Sequence, residues 1–278
     1  MRKNKKIPIL LAFIAIISLG IGWWLGSQRS AQVKRSKALV VSQVEKPAVE
    51  IPLMDPNAPK VAIVLDDWGY NINNLPALNE IGVPMTLAIL PHLRFSTQIS
   101  NSLAGKNYEI ILHMPMEAHN HTIRAEEKTI YTSMTDEDVR ETLKGAIASI
   151  PNLKGISNHM GSKATEDPRV MKVVMEELRK EKLYFLDSVV TSQSVAEETS
   201  KQVGISFAKR SVFLDNHLDA EYIKGQLLKT AESARRNGSV IAIGHDREIT
   251  LKVIQEVVPK LREEGIQFVY ASQLTRRE

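Results

Sequence analysis

Six short apolar runs, each stopped by Asp, His or Asn and each separated from the next by a helical pattern, constrain this chain more than any other feature. The run from Val61 to Leu65 stops at Asp66 and Asp67, and the run from Glu109 to Leu112 stops at His113. Gly155 to Ser157 leads into Asn158 and His159, and Leu183 to Leu186 meets Asp187. Val212 to Leu214 ends at Asp215, and Val240 to Gly244 ends at His245. Continuous apolar runs, as opposed to alternating ones, belong to strands buried on both faces, as in a parallel sheet covered by helices. In such folds the site is assembled just past the carboxyl ends of the strands. The residues that stop the runs are therefore candidates for metal ligands and acid/base groups, and the pattern reads as an enzyme.

The amino terminus carries Arg2, Lys3, Lys5 and Lys6, followed by an apolar run from Ile7 to Leu25. A helix over that run would be about 28 Å long, enough to cross a bilayer core. The preceding cations predict a cytoplasmic amino terminus and an exported remainder, and Trp23 and Trp24 suit the outer interface. Residues 1–26 are thus expected to be a cytoplasmic stub and transmembrane signal-anchor. A cleaved signal peptide is the alternative, which would make the protein secreted. Residues 27–59, with Pro47, Pro52, Pro56 and Pro59, read as a semi-extended linker. Residues 60–278 suit one α/β domain.

The formal charge of +4 is concentrated at this end. Eight Lys and Arg precede Glu45, the first acidic residue; without them 28 basic residues face 32 acidic ones. The early cations suit anionic headgroups, and nothing in the acidic remainder predicts a nucleic-acid surface. With no Cys, disulfides, thiolate metal sites and a Cys nucleophile are excluded.

After Pro59 strand and helix patterns alternate to the end. Expected helices are near Asn73–Ile81, Ser96–Gly105, Thr135–Ile150, Pro168–Lys182, Ser194–Val203, Asp219–Arg236 and Glu248–Glu264, and further strands at Val83–Leu90 and Gln267–Ala271. Gly82, Gly238 and Gly265 sit where helices need a left-handed stop, and Thr135 precedes three acids as an N-cap should. Seven or eight strand–helix units favour a barrel, with a doubly wound sheet as the alternative. The long loop from Met114 to Ser133 is expected to lie over the strand ends.

Adjacent Asp66 and Asp67 cannot both ionise cheaply unless a positive charge sits beside them. A divalent ion supplies it, with one Asp as ligand and the other free as base; an Asp-capped turn is the plainer alternative. His113, Asp67 and His159 together give two imidazoles and a carboxylate from three strand ends, a ligand set suited to zinc or a related ion. Glu117 is a second possible ligand, a substrate contact or a solvated charge. His245 can protonate a leaving group if a carboxylate such as Asp187 or Asp215 orients it. Trp68 can stack on a sugar face or simply pack. His119, His121 and His217 read as surface residues.

The ordered set Asp66–Asp67, His113, Asn158–Ser162, Asp187–Ser188, Phe213–Asp215 and Gly244–His245 resembles the divergent polysaccharide deacetylases, distant relatives of the carbohydrate esterases. The resemblance covers Lys60 to Leu274. It implies a distorted (β/α)7 barrel, a divalent metal, commonly zinc, and hydrolysis of an acetyl–sugar linkage. It also implies that Asp66 is the base, Asp67 a metal ligand and His245 the general acid. Two departures stand out. Ordinary members carry a second His where this chain has Glu117, and their Arg-containing motif is replaced here by Asn158 to Gly161. His159 is therefore expected to be the substitute imidazole, with Glu117 as the alternative.

The resulting expectation is a membrane-anchored hydrolase, its domain outside the cytoplasm, acting on an acetylated envelope polysaccharide. Asp67, His113 and His159 would hold the metal, Asp66 would be the base, and His245 the acid, oriented by Asp187. Trp68, Glu117, Asn158, Ser162 and Asp215 are candidate substrate contacts. The rival is a non-catalytic protein that uses the same barrel to bind glycan or a partner.

Overall fold

The computed structural model describes residues 57–120, 122 and 125–277. The predicted anchor, nearly all of the linker and His121 lie outside the described residues. Among those described, no helix is long and apolar enough to cross a membrane.

The strands are β1 (Lys60–Trp68), β2 (Met85–Ile89), β3 (Tyr108–Met116), β4 (Leu153–Met160), β5 (Tyr184–Asp187), β6 (Phe207–Lys209), β7 (Val212–Phe213), β8 (Ser239–His245) and β9 (Gln267–Phe268). The helices are α1 (Leu75–Ile81), α2 (Ser96–Leu103), α3 (Asp136–Ser149), α4 (Pro168–Glu181), α5 (Ala196–Val203), α6 (Ala220–Asn237) and α7 (Glu248–Glu263). Every strand pairing is parallel, in the order β6-β5-β4-β3-β2-β1-β8-β7, with β9 also on β1. The sheet curls, and all strands point their carboxyl ends to one rim.

Both faces of the sheet are apolar, which is why the runs do not alternate. Along β1, Val61, Ile63 and Leu65 join the large cluster that includes Leu78, Leu143, Val174 and Ile254 of the helices. Ala62 and Val64 join a smaller cluster with Ala88, Ile111, Leu186, Ala208 and Ile243, to which no α-helix contributes. The inner face of the curl is thus filled mostly by Ala, Val and Ile, with Tyr184 and Leu186 on β5.

Helix signals worked where the chemistry was local. Thr135 caps α3 through a reciprocal pair with Asp138, and Gly82 stops α1 at φ +71°. Two strand expectations need correction. The strand expected at Val212–Leu214 is present but short, as β7 on β8, and an unexpected short strand, β6 at Phe207–Lys209, precedes it on β5. The changeover falls between Arg210, whose N–H donates to Asp187, and Ser211, whose N–H donates to Ile241. The last strand is shorter than expected, because Ala271 N–H donates to Thr86 Oγ1 and Ser272 N–H to Glu109 Oε1, which turns the chain into a 3-10 helix at Ala271–Leu274.

Candidate metal and catalytic centre

The doublet at the end of β1 works because the strand breaks its own alternation. In a regular strand Asp66 and Asp67 would point to opposite faces. Here the register on β2 slips between Leu65 and Trp68, and Asp67 takes a left-handed φ of +67°, which Asp tolerates better than most residues. Both carboxylates therefore reach the same centre. Trp68 is pushed into the outer core, where it is fully buried with its indole N–H unpaired. That corrects the expectation of a sugar-stacking Trp68: no face of its ring is open.

His113 enters from β3 and is buried; its Nδ1 lies 2.7 Å from Ser157 Oγ, its register partner on β4. With Nδ1–H donated to that hydroxyl, Nε2 is left with a lone pair aimed at the centre, 3.3 Å from Asp67 Oδ1 and 3.6 Å from Asp66 Oδ2. Burial pushes the His113 pKa down to about 4, further than Asp67 pulls it up. His159, from the end of β4, brings Nδ1 to 3.1 Å from the same Asp67 Oδ1. Met160 at φ +54° and Gly161 at φ +91° then turn the chain away. A side chain at Gly161 would meet Met116 Cβ at 2.9 Å, so glycine is required there.

One ligand atom from each of Asp67, His113 and His159 lies within 4.8 Å of the others. Although both imidazole nitrogens approach Asp67 Oδ1, neither is aimed to form a hydrogen bond, and that oxygen is a buried acceptor without a donor. Asp66 Oδ1 is orphaned in the same way. Two imidazole nitrogens and a carboxylate oxygen converging on one point, with both Asp67 Oδ1 and Asp66 Oδ1 left without a donor in hydrogen-bond geometry, fit a divalent cation. The two carboxylates are also driven apart in acidity. Burial would raise Asp67, but the two imidazoles hold it well below the usual carboxylate range. Asp66 is raised well above that range by burial, then by Asp67 and Asp215, against the opposing pull of Arg210.

His245 pairs in register with Asp66. Its Nε2 lies 3.8 Å from Asp67 Oδ2, and its Nδ1 lies 2.8 Å from Asp215 Oδ1. The orienting carboxylate is therefore Asp215, not Asp187. β7 pairs with β8, so the residue two places beyond β7 arrives beside His245, whereas Asp187 ends β5, which pairs with β4 and β6 and not with β8. Asp187 instead accepts from Val189 N–H and Ser194 Oγ, at 2.8 and 2.6 Å.

The other candidate substrate contacts are mostly occupied. Asp215, fully buried, accepts from Thr250 as well as His245. Asn158 is fully buried and ties the strand ends together, taking Ser188 N–H and donating to Met160 O. Ser162 accepts His119 N–H. Glu117 takes two bonds from Thr132 and one from Lys163 Nζ at 2.8 Å, which braces the loop and leaves no free oxygen for a metal.

Two residues escaped the sequence reading. Ser157 ends an apolar run, and its place opposite His113 follows only from the register of β3 on β4. Arg210 carries no sequence signal at all, since it falls at the handover between β6 and β7. It donates to Ser188 O and Val189 O, lies over the Phe213 ring and acts electrostatically on Asp66 and Asp187. Val189 itself is strained: a β-branched residue at φ +51°.

A sequence profile described as divergent polysaccharide deacetylase matches residues 63–275. The chain is 34% identical over 204 residues to YibQ of Escherichia coli (strain K12), an uncharacterized protein, with 73% of this chain and 64% of YibQ aligned. The match thus spans less than two thirds of that relative's length. An uncharacterized protein of Haemophilus influenzae is 32% identical over 219 residues, covering 79% of this chain and 78% of its own. Among solved structures, the uncharacterized protein ATU2773 of Agrobacterium tumefaciens C58 superposes with a TM-score of 0.75 at 22% identity, over 81% of this chain and 92% of that one. A T48 deacetylase with substrate superposes at 0.52 and 15% identity, over 81% and 98%. These two likenesses concern the fold.

Proposed function

The chain belongs to the divergent polysaccharide deacetylase family, and from that premise we propose that it is a metal-dependent hydrolase that removes acetyl groups, as amides or esters, from an envelope polysaccharide. The observation that carries the reading is the convergence of Asp67, His113 and His159 within 4.8 Å, between a buried Asp66 and a carboxylate-held His245. Residues 60–278 are then the catalytic domain, a distorted (β/α)7 barrel. The 207–213 segment supports closure of that barrel, since it passes its hydrogen bonds from β5 to β8. Residues 1–26 are the anchor and 27–59 the linker, which would hold the domain outside the cytoplasm.

Asp67, His113 and His159 hold the metal, most suitably zinc given two imidazoles and one carboxylate. An ion held there would supply Lewis acidity for the acyl oxygen and for the attacking water. Asp66 takes the proton from the attacking water. Its raised pKa, due first to burial, suits a base that must hold that proton through the reaction. Asp215 keeps the proton of His245 on Nδ1, so Nε2 faces the centre and gives a proton to the departing amine or alcohol. The acyl carbon gains the water oxygen and loses the sugar nitrogen or oxygen, leaving acetate and the free amine or alcohol.

The test is metal content and acetate release by the full chain on N- and O-acetylated glycans, native and Asp66→Asn. About one divalent ion per chain, with release lowered at least ~10²-fold in the variant while the ion is kept, is the expected result. Bound metal without release, together with glycan binding, would favour the non-catalytic rival. No metal and no release would end the hydrolase reading.

A further inference from the structure

Metal-bound histidines almost always donate their second ring N–H to a carboxylate, a carbonyl or a water, which fixes the ring and makes it a better ligand. His113 follows that rule: it turns Nε2 to Asp67 Oδ1 at 3.3 Å and has Ser157 Oγ 2.7 Å from its Nδ1. His159 does not. It approaches the same Asp67 Oδ1 through Nδ1, at 3.1 Å, so with a metal on that nitrogen its proton belongs on Nε2. Among the described residues, the ring of His159 makes this approach and an edge-on contact with the His113 ring at 4.9 Å, and neither occupies Nε2.

The two rings also differ in exposure, 3% for the His113 side chain against 19% for His159. With the Nδ1 edge turned inward to Asp67, the Nε2 edge is the outward one. Polar side chains from the same strand end and the adjoining loops are engaged elsewhere. Asn158 binds Ser188 N–H and Met160 O, Glu117 takes Thr132 and Lys163, and Ser162 takes His119 N–H. The backbone that carries the ring is held firmly, since Asn158 ties down the Met160 turn and Gly161 has no room for a side chain. An N–H fixed in this way, facing outward without a protein acceptor, is open to a ligand. An ion on Nδ1 makes it a charge-assisted donor, roughly twice as strong as a neutral one.

Resting on the hydrolase reading, we propose that His159 has two roles: Nδ1 is the metal ligand, and Nε2–H donates to an oxygen acceptor of the acetylated sugar. The bound glycan then supplies the outer partner that the protein omits. Glycan and metal therefore tighten each other's binding by the same factor.

The test is nitrogen-15 NMR of the imidazoles in the full chain carrying Asp66→Asn, which removes turnover, loaded with zinc. Spectra are taken with and without tetramers of N-acetylglucosamine and of O-acetylated xylose. Expected are a proton on Nδ1 in His113 and on Nε2 in His159, the latter exchanging more slowly with water when one of the tetramers binds. Adding His159→Asp, which keeps an oxygen ligand and has no donor, should retain zinc and weaken that tetramer about tenfold. The gain in zinc affinity caused by the tetramer should shrink by the same factor. A His159 proton on Nδ1, an N–H signal that neither tetramer alters, or undiminished tetramer binding in zinc-loaded His159→Asp would overturn the proposal. If His159→Asp does not hold zinc, the spectrum of the unsubstituted ring decides alone. Zinc content is read on the same samples: no metal ends the hydrolase reading, whereas metal bound beside a His159 N–H indifferent to glycan ends this inference only.

Discussion

Asp215 grips His245 at two points: Oδ1 lies 2.8 Å from the ring Nδ1, and Oδ2 accepts the His245 backbone N–H at 3.0 Å. The carboxylate thus fixes both the ring and the main chain that carries it, and with Nδ1 protonated only Nε2 faces the centre. Asp215→Asn should lower acetate release about 10²–10⁴-fold, because an amide can present N–H where the ring needs an acceptor. Metal content should be unchanged. Asp187→Asn should cost far less, since Asp187 serves Val189 and Ser194. Release rates of the two variants side by side check this; equal losses would mean that Asp187 reaches the acid by another route.

Metal affinity should separate the two candidate third ligands. His159→Ala should weaken zinc binding by more than about 100-fold, and Ser157→Ala, which removes the partner of His113 Nδ1, by about 10–100-fold. Glu117→Gln should leave affinity nearly unchanged while loosening the loop it braces through Thr132 and Lys163. Competition against a chelating indicator reads all three. A large loss in Glu117→Gln with none in His159→Ala would reverse the assignment.

What the sequence disclosed followed from short-range chemistry. The apolar runs marked the strands because both faces of the sheet are buried, and Asp66, Asp67, His113, His159 and His245 were legible because each stops a run. Asp215 was weighed as a partner for His245, but choosing between it and Asp187 required the strand order, which has no local signature. The same limit hid Ser157 and Arg210, whose partners come from register and from the handover between β6 and β7. Trp68 misled because an aromatic residue beside a site looks the same in sequence whether it faces the groove or the core.

Gly155 is held to its size by one neighbour. A Cβ there would meet the Tyr184 ring at 2.6 Å. That ring cannot swing aside freely, since Tyr184 Oη donates to Glu109 Oε1, which also takes Thr86 Oγ1 and Ser272 N–H. Gly155→Ala should destabilise the fold by about 1–3 kcal/mol through overpacking. Gly145, exposed on α3 with nothing within 4 Å of its Cβ position, is the contrast: Gly145→Ala should stabilise by up to about 1 kcal/mol. Urea unfolding of both variants reads the two signs.

Asp246 lies at the edge of the centre, where burial and then repulsion from Asp67 raise its pKa to about 6, although Asn74 Nδ2 donates to it at 2.7 Å. The folded protein therefore holds this proton more tightly than the unfolded chain does. Its contribution to stability is complete below about pH 4 and is lost as pH rises through 6, by about 1–3 kcal/mol in the metal-free protein. Asp246→Asn keeps an acceptor for Asn74 and removes the charge. With metal chelated, the variant should match the native protein at pH 4 and exceed it by that amount at pH 7, measured by urea unfolding at both. If the variant were instead the less stable at pH 7, a cation would have to be stabilising the Asp246 carboxylate, and the electrostatics of this rim would need a positive partner that Asn74 does not supply.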